Sequence, residues 1–207
     1  MTDAPAPETA DDGSAALGPN KTFGFLIGGT LLMGAAAYGL SLIMNTPLGA
    51  ALALDWGDMM LGLAATAPLA LFLLWFMRSE SAYIGAFRDS QIDFFAKIGF
   101  EFTWLRIVMM ALAAGVCEEL LFRGVFQTYA DRFTPTLAAI VGTNIIFGLL
   151  HWRTALYAVI AGTVGVYLGI LFWATGNLAA PMVTHAVYDF IALWFTRDAI
   201  KAHRNAS

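Results

Sequence analysis

The sequence predicts an all-α fold: a polytopic helical membrane protein of about six transmembrane helices plus one interfacial amphipathic helix. Three observations predict it. Of 207 residues, 59% are hydrophobic and 13% charged, where globular domains run near 45–50% and about 25%. Mean hydropathy is +0.69. Successive apolar stretches approach the roughly 20 residues that one helical crossing needs, and the turns between them are short. This composition excludes a soluble enzyme and a disordered chain. With 11 basic against 15 acidic residues, no basic surface invites nucleic acid.

Residues 1–20 hold Asp3, Glu8, Asp11 and Asp12, no Lys or Arg, and Pro5, Pro7 and Pro19. They are expected to form a disordered acidic tail, retained because a signal peptide would need a basic start. Residues 21–207 are expected to form a single transmembrane domain. The expected spans are Phe23–Met44, Asp58–Met77, Thr103–Tyr129, Thr136–Trp152, Thr154–Thr175 and Leu178–Phe195. Between the second and third, Arg78–Glu101 mixes Arg88, Asp89, Asp93 and Lys97 with Ile84, Phe87, Phe94, Phe95 and Ile98. That pattern reads as a helix lying on the membrane, or as a plain amphipathic connector.

Basic residues orient the chain. Lys21, Arg78, Arg88, Lys97, Arg106, Arg153, Arg197, Lys201 and Arg204 fall on one side and Arg132 alone on the other, so both termini are expected in the cytoplasm. Gly24/Gly28 and Gly165/Gly169, with Gly162 a turn earlier, are spaced for close helix packing. They are read as internal contacts, with a dimer interface as the minority reading. Cys117 is the only cysteine, so no intramolecular disulfide forms; it is read as a small apolar filler.

The ionisable residues inside the spans carry the functional reading, because each costs roughly 2.5–3.5 kcal/mol to insert. The third span holds Glu118, Glu119 and Arg123. Glu119 and Arg123 are i,i+4 and can pair, while Glu118 points about 100° away. His151 ends the fourth span, on the stripe of Asn144 and Phe147. His185 and Asp189 are i,i+4 within the sixth. His203 falls in the polar C-terminal tail and is expected to be solvated. Carboxylates and imidazoles in a wet pocket can activate water and can ligate metal. HExxH and GxSxG are both absent.

Glu118-Glu119-Leu120-Leu121-Phe122-Arg123 resembles the EExxxR motif of the CPBP intramembrane proteases, the CAAX protease or Abi family. Phe147-Gly148-Leu149-Leu150-His151 resembles its FxxxH motif, and His185-Ala186-Val187-Tyr188-Asp189 its HxxxN/D motif. The resemblance covers about Thr103–Phe195, the expected protease core. It implies an endopeptidase acting on a membrane-anchored, possibly lipidated, protein or peptide. The family includes the proteases that trim prenylated CAAX proteins and bacterial members linked to bacteriocin processing or self-immunity.

By that resemblance Glu118 and His151 activate water, His185 and Asp189 stabilise the oxyanion, and Glu119 and Arg123 orient and neutralise the site. Asp189 departs from the Asn of CAAX-processing members. It either donates when protonated, or accepts from His185 and fixes the tautomer, the reading preferred here. Glu118, His151 and His185 could hold a catalytic Zn2+ with water as fourth ligand, or could activate water without metal. A proton-coupled transporter and a non-catalytic immunity or scaffold protein are the competing functions. Oligomeric state and substrate identity have no sequence signal. Along simply threaded spans, Glu118 and His151 fall too far apart to share a water. Sharing one therefore requires a break or tilt near Gly148, or different span ends.

Overall fold

The computed structural model describes residues 18–206, with side chains to residue 202. The acidic tail up to residue 17 and the His203 side chain lie outside the described residues. Helix α1 spans Pro19–Ile43, with proline in the first turn, where its missing N–H costs nothing. A 3-10 turn at Leu48–Ala50 leads to α2, Trp56–Arg78, whose N-cap Asp55 accepts from the Asp58 N–H. Next come α3, Ala82–Lys97, and α4, Trp104–Glu119, capped by Thr103. Helix α4 continues without interruption into a π-helical segment, Leu120–Gln127, and one closing turn, α5, Thr128–Ala130. Then follow α6, Thr136–Leu150; α7, Ala155–Thr175, ended by Gly176 at φ 65°; and α8, Ala179–Ala206. Among the described residues there is no strand.

The helices pack in pairs of readable direction. The α1 and α4 helices run alongside each other, with Gly34 against the Cys117 sulfur. The start of α2 meets the start of α8, where Asn177 donates to Asp58 (2.8 Å) and Thr184 to the Gly62 carbonyl (2.8 Å). The α6 and α7 helices form an antiparallel hairpin closed at Gly148 and Gly162. One end of the bundle therefore collects the start of α1, the end of α2, α3, the start of α4 and the 151–154 turn. The opposite end holds the 131–135 turn, where Arg132 caps α1 through the Met44 (3.0 Å) and Asn45 carbonyls. Arg88 caps α2 in the same way, donating to the Met77 carbonyl at 2.8 Å.

The outside is apolar and the centre is polar. Phe25 is 76% exposed and Ile43 81%, whereas Glu119 and Arg123 are 0% exposed. In water that surface would be an aggregation liability; it is the surface of a membrane protein. Helices α1, α2 and α7 are long and apolar enough to cross a membrane. Helix α6 has 15 residues, roughly 22 Å at 1.5 Å per residue.

Three readings change. Among the described residues, an added Cβ on Gly24 or Gly28 finds no atom within 4 Å; neither makes an internal contact there. Gly162, Gly165 and Gly169 do pack inside, against Asn144, Phe147 and Gln127. The last helix runs on from Phe195 to Ala206, and the first begins at Pro19 rather than Phe23.

Candidate active site

The six motif residues reach the centre from four elements. The end of α4 brings Glu118 and Glu119, and the π-segment brings Arg123. The last turn of α6 brings His151, and the second turn of α8 brings His185, then Asp189. Close approach of α4 to α8 permits this: a Cβ on Gly115 would lie 2.7 Å from the Ala186 backbone nitrogen.

The buried half of the site is a polar relay. Arg123 Nη1 donates to Glu119 Oε1 at 2.9 Å, and both side chains are fully buried. Arg123 Nη2 donates to Asn144 Oδ1 (2.9 Å) and to the Gly165 carbonyl (2.6 Å), with the guanidinium 5.3 Å from the Phe147 ring centroid. The same Glu119 oxygen accepts from His185 Nδ1 at 2.7 Å. Glu119 thus does more than neutralise Arg123: it fixes the His185 ring. The sequence assigned that task to Asp189, whose Oδ2 is instead 3.5 Å from His185 Nε2. Asn144 and Gly165 have no place in the three motifs. Their signals were present, as a polar residue on the His151 stripe and as a small-residue pair on α7.

The open half faces a cavity of about 150 Å3, lined by Glu118, His151, His185, Tyr157, Tyr188 and Asp189 among others. Glu118 Oε2 lies 3.9 Å from His151 Nε2 and 3.9 Å from His185 Nε2. That oxygen is buried and has no hydrogen-bond partner among the described residues. His151 Nδ1 donates to the Phe147 carbonyl at 2.8 Å, and its ring rests on Phe147 with centroids 4.3 Å apart. With Nδ1 donating, a neutral His151 presents its Nε2 lone pair to the cavity, whereas His185 Nε2 lies between the Glu118 and Asp189 carboxylates, where it can carry a second proton.

The depth problem dissolves without a kink. Helix α6 is unbroken to Leu150. Counted from the 131–135 turn that joins them, Glu118 lies about 18 Å along one helix and His151 about 22 Å along the other. Helix α6 is short, so its last residue reaches the middle of the longer α4–α5 rod.

The donor types suit zinc, but neighbouring ligands on a tetrahedral zinc are roughly 3.3 Å apart. The pairs at 3.9 Å would have to close by about half an ångström. Among the described residues, no three-residue group already has metal-ligand spacing. A water about 2.8 Å from each atom needs no movement, since it would see each pair at roughly 90°. The Cys117 sulfur lies against α1 and does not line the cavity.

Arg153 stands beside the site, in the turn after His151. Its guanidinium is 3.5 Å from the Tyr157 ring centroid, 4.6 Å from Phe95 and 4.8 Å from Phe94. Burial pushes its pKa down from the ordinary guanidinium value, opposed by the Tyr157 hydroxyl.

Fold and site together define an all-helical membrane protein built round a buried carboxylate–imidazole centre. Residues 100–191 match the family model of Rce1-like type II CAAX prenyl endopeptidases. The matched segment contains all three motifs. No curated protein and no solved structure matches the chain.

Proposed function

We propose that the chain is an intramembrane endopeptidase that hydrolyses a peptide bond of a membrane-anchored, lipidated substrate. One observation carries this reading: a buried, unpartnered Glu118 oxygen 3.9 Å from the Nε2 atoms of both His151 and His185. Such a gap is the size of one water molecule. Glu118 takes a proton from that water as its oxygen attacks the scissile carbonyl carbon, and His151 Nε2 holds the water's other hydrogen. His185, carrying a proton on Nε2 as well as Nδ1, donates to the developing oxyanion, with Asp189 beside it. Glu118 then passes its proton to the departing amine nitrogen, which completes hydrolysis. Glu119 and Arg123 keep His185 in position.

If zinc is used, Glu118, His151 and His185 would hold it, and it would polarise the carbonyl and acidify the water. We place the protein in the inner (cytoplasmic) membrane, with six spans, both termini cytoplasmic and α3 at the interface.

The test compares peptide termini in native-host membranes bearing wild-type protein or Glu118→Ala at matched levels. Precursors that accumulate only with Glu118→Ala support the protease and name its substrates. Identical termini, with a deletion phenotype, would instead favour transport or immunity.

A further inference from the structure

A second cavity, about 320 Å3, opens next to the catalytic one between α2, α3 and α8. The two share Tyr157, Ile160, Tyr188 and Asp189 as a common wall. The larger cavity is mostly aromatic and aliphatic, and only three charged residues line it: Arg88, Arg153 and Asp189. Two of these are engaged. Arg88 donates to the α2 carbonyls and approaches Asp89 at 4.0 Å. Asp189 faces His185 at 3.5 Å. Arg153 differs. Its Nη1 is buried without a hydrogen-bond partner, and among the described residues no carboxylate pairs with it. Aromatic rings and the Tyr157 hydroxyl hold it.

A half-buried guanidinium whose covered Nη1 has no acceptor is costly, and a guanidinium's fork of N–H donors matches a carboxylate. The geometry points to Arg153 as the anchor for the C-terminal carboxylate of the peptide substrate, and so as the residue that sets where the chain is cut. This inference rests on the endopeptidase reading. The spacing suits a cut a few residues from the end. Two residues separate Arg153 from His151, at most about 7 Å of backbone, and the arginine stem adds its own length. Three extended substrate residues span about 10 Å. Tyr157, against which the Arg153 guanidinium stacks, lines both cavities, so a carboxylate bound there would fix the register of the scissile bond against Glu118.

The test uses two fluorescent peptides, each an S-farnesylcysteine followed by three aliphatic residues, one ending in a free carboxylate and one in a carboxamide. Binding to purified full-length protein is read by anisotropy on the Glu118→Gln background, where hydrolysis cannot confuse the measurement. The acid should bind about tenfold more tightly than the amide, the scale of one charge-assisted contact. Arg153→Gln should bring that ratio to about one, and Arg153→Lys should restore part of it. A ratio near one with Arg153 present overturns the inference, as does a tenfold ratio that survives Arg153→Gln. No measurable binding of the acid overturns it too. If Arg153→Gln and Arg153→Lys both lose the two probes alike, the residue is structural and the anchor is overturned. Arg153-dependent displacement of the acid by short-chain phosphatidic acid, with no preference over the amide, would reassign the site to a lipid phosphate. Cleavage is scored separately with Glu118 intact. Failure to cut either peptide counts against the endopeptidase reading alone, because the binding ratio does not depend on hydrolysis.

Discussion

At the scale of single residues, adjacent carboxylates have opposite surroundings. Glu119 is fully buried and accepts from Arg123 and His185 through one oxygen. Glu118 presents an unpartnered oxygen to the cavity. A general base must be free to take a proton from a water in the cavity; Glu119 Oε2 also lacks a partner, but of the two only Glu118 lines the cavity. Glu118→Gln should lower peptide hydrolysis by about 10^2–10^4-fold with unchanged thermal unfolding in detergent; equal loss of stability would make Glu118 a structural residue. Removing Arg123 should act the other way round. Arg123→Met leaves Glu119 as an uncompensated buried charge, which costs about 3–5 kcal/mol. The loss should show as a lower melting temperature, and Glu119→Gln in the same chain should recover much of it. No recovery would mean that the pair is not coupled.

Asp189 is the residue on which sequence and structure disagree in detail. The pattern of i,i+4 residues made Asp189 the partner of His185, but the ring's closest carboxylate comes from α4, 66 residues away in sequence. Spacing within one helix cannot report a contact between helices. Because His185 Nδ1 is already held, Asp189→Asn should keep substantial activity, an amide being able to donate or accept at that distance. Complete loss in a peptide-cleavage assay would show that a negative charge is required there.

At the scale of elements, α7 offers a strip without side chains. The Gly165 and Gly169 carbonyls accept from Arg123 and Gln127 at 2.6 and 3.0 Å. The i,i+4 spacing of the glycines matches that of the two polar residues. An added Cβ on Gly165 would lie within 3 Å of the Asn144 side chain. Gly165→Ala should therefore destabilise by about 1–3 kcal/mol and lower activity with it. Gly28→Ala should change stability by less than about 0.5 kcal/mol. Thermal unfolding of the two variants side by side checks this, and equal effects would refute the distinction. The sequence showed both glycine pairs equally well. It could not tell them apart, because the partner of Gly165 lies on another helix and the face of Gly28 is bare. Hydropathy located seven helical stretches to within a few residues, with α4 to α5 read as one, apart from the far end of α8. There, Arg197 and Lys201 ended the apolar run although the backbone stayed helical. The π-segment was invisible for a different reason, since its hydrogen-bond shift leaves the apolar pattern of Leu121, Phe122 and Val125 intact.

At the scale of the whole molecule, charge and depth argue together. Among the described residues, Lys21, Arg78, Arg88, Arg106 and Arg153 belong to one end of the bundle and Arg132 to the other, the asymmetry on which the proposed cytoplasmic placement of the basic end rests. His151 lies about 22 Å from the opposite turn, in a bilayer core about 30 Å thick. The water site is therefore nearer the basic face, and Arg153 nearer still. A substrate tethered by a lipid at the cytoplasmic surface would need to dip its C-terminus by only a few ångströms, which suits a chamber roofed by α3. Orientation decides whether this geometry can work. Cys117 is the only cysteine and is buried, so Thr134→Cys and Ser207→Cys, each with Cys117→Ala, report the two faces. A membrane-impermeant maleimide added to intact cells should label residue 134 and spare residue 207 until the membrane is opened. The reverse pattern would turn the site to the outer face, where a cytoplasmic lipid-anchored substrate cannot reach it, and the class of substrate proposed above would have to be abandoned even if the hydrolytic chemistry stood.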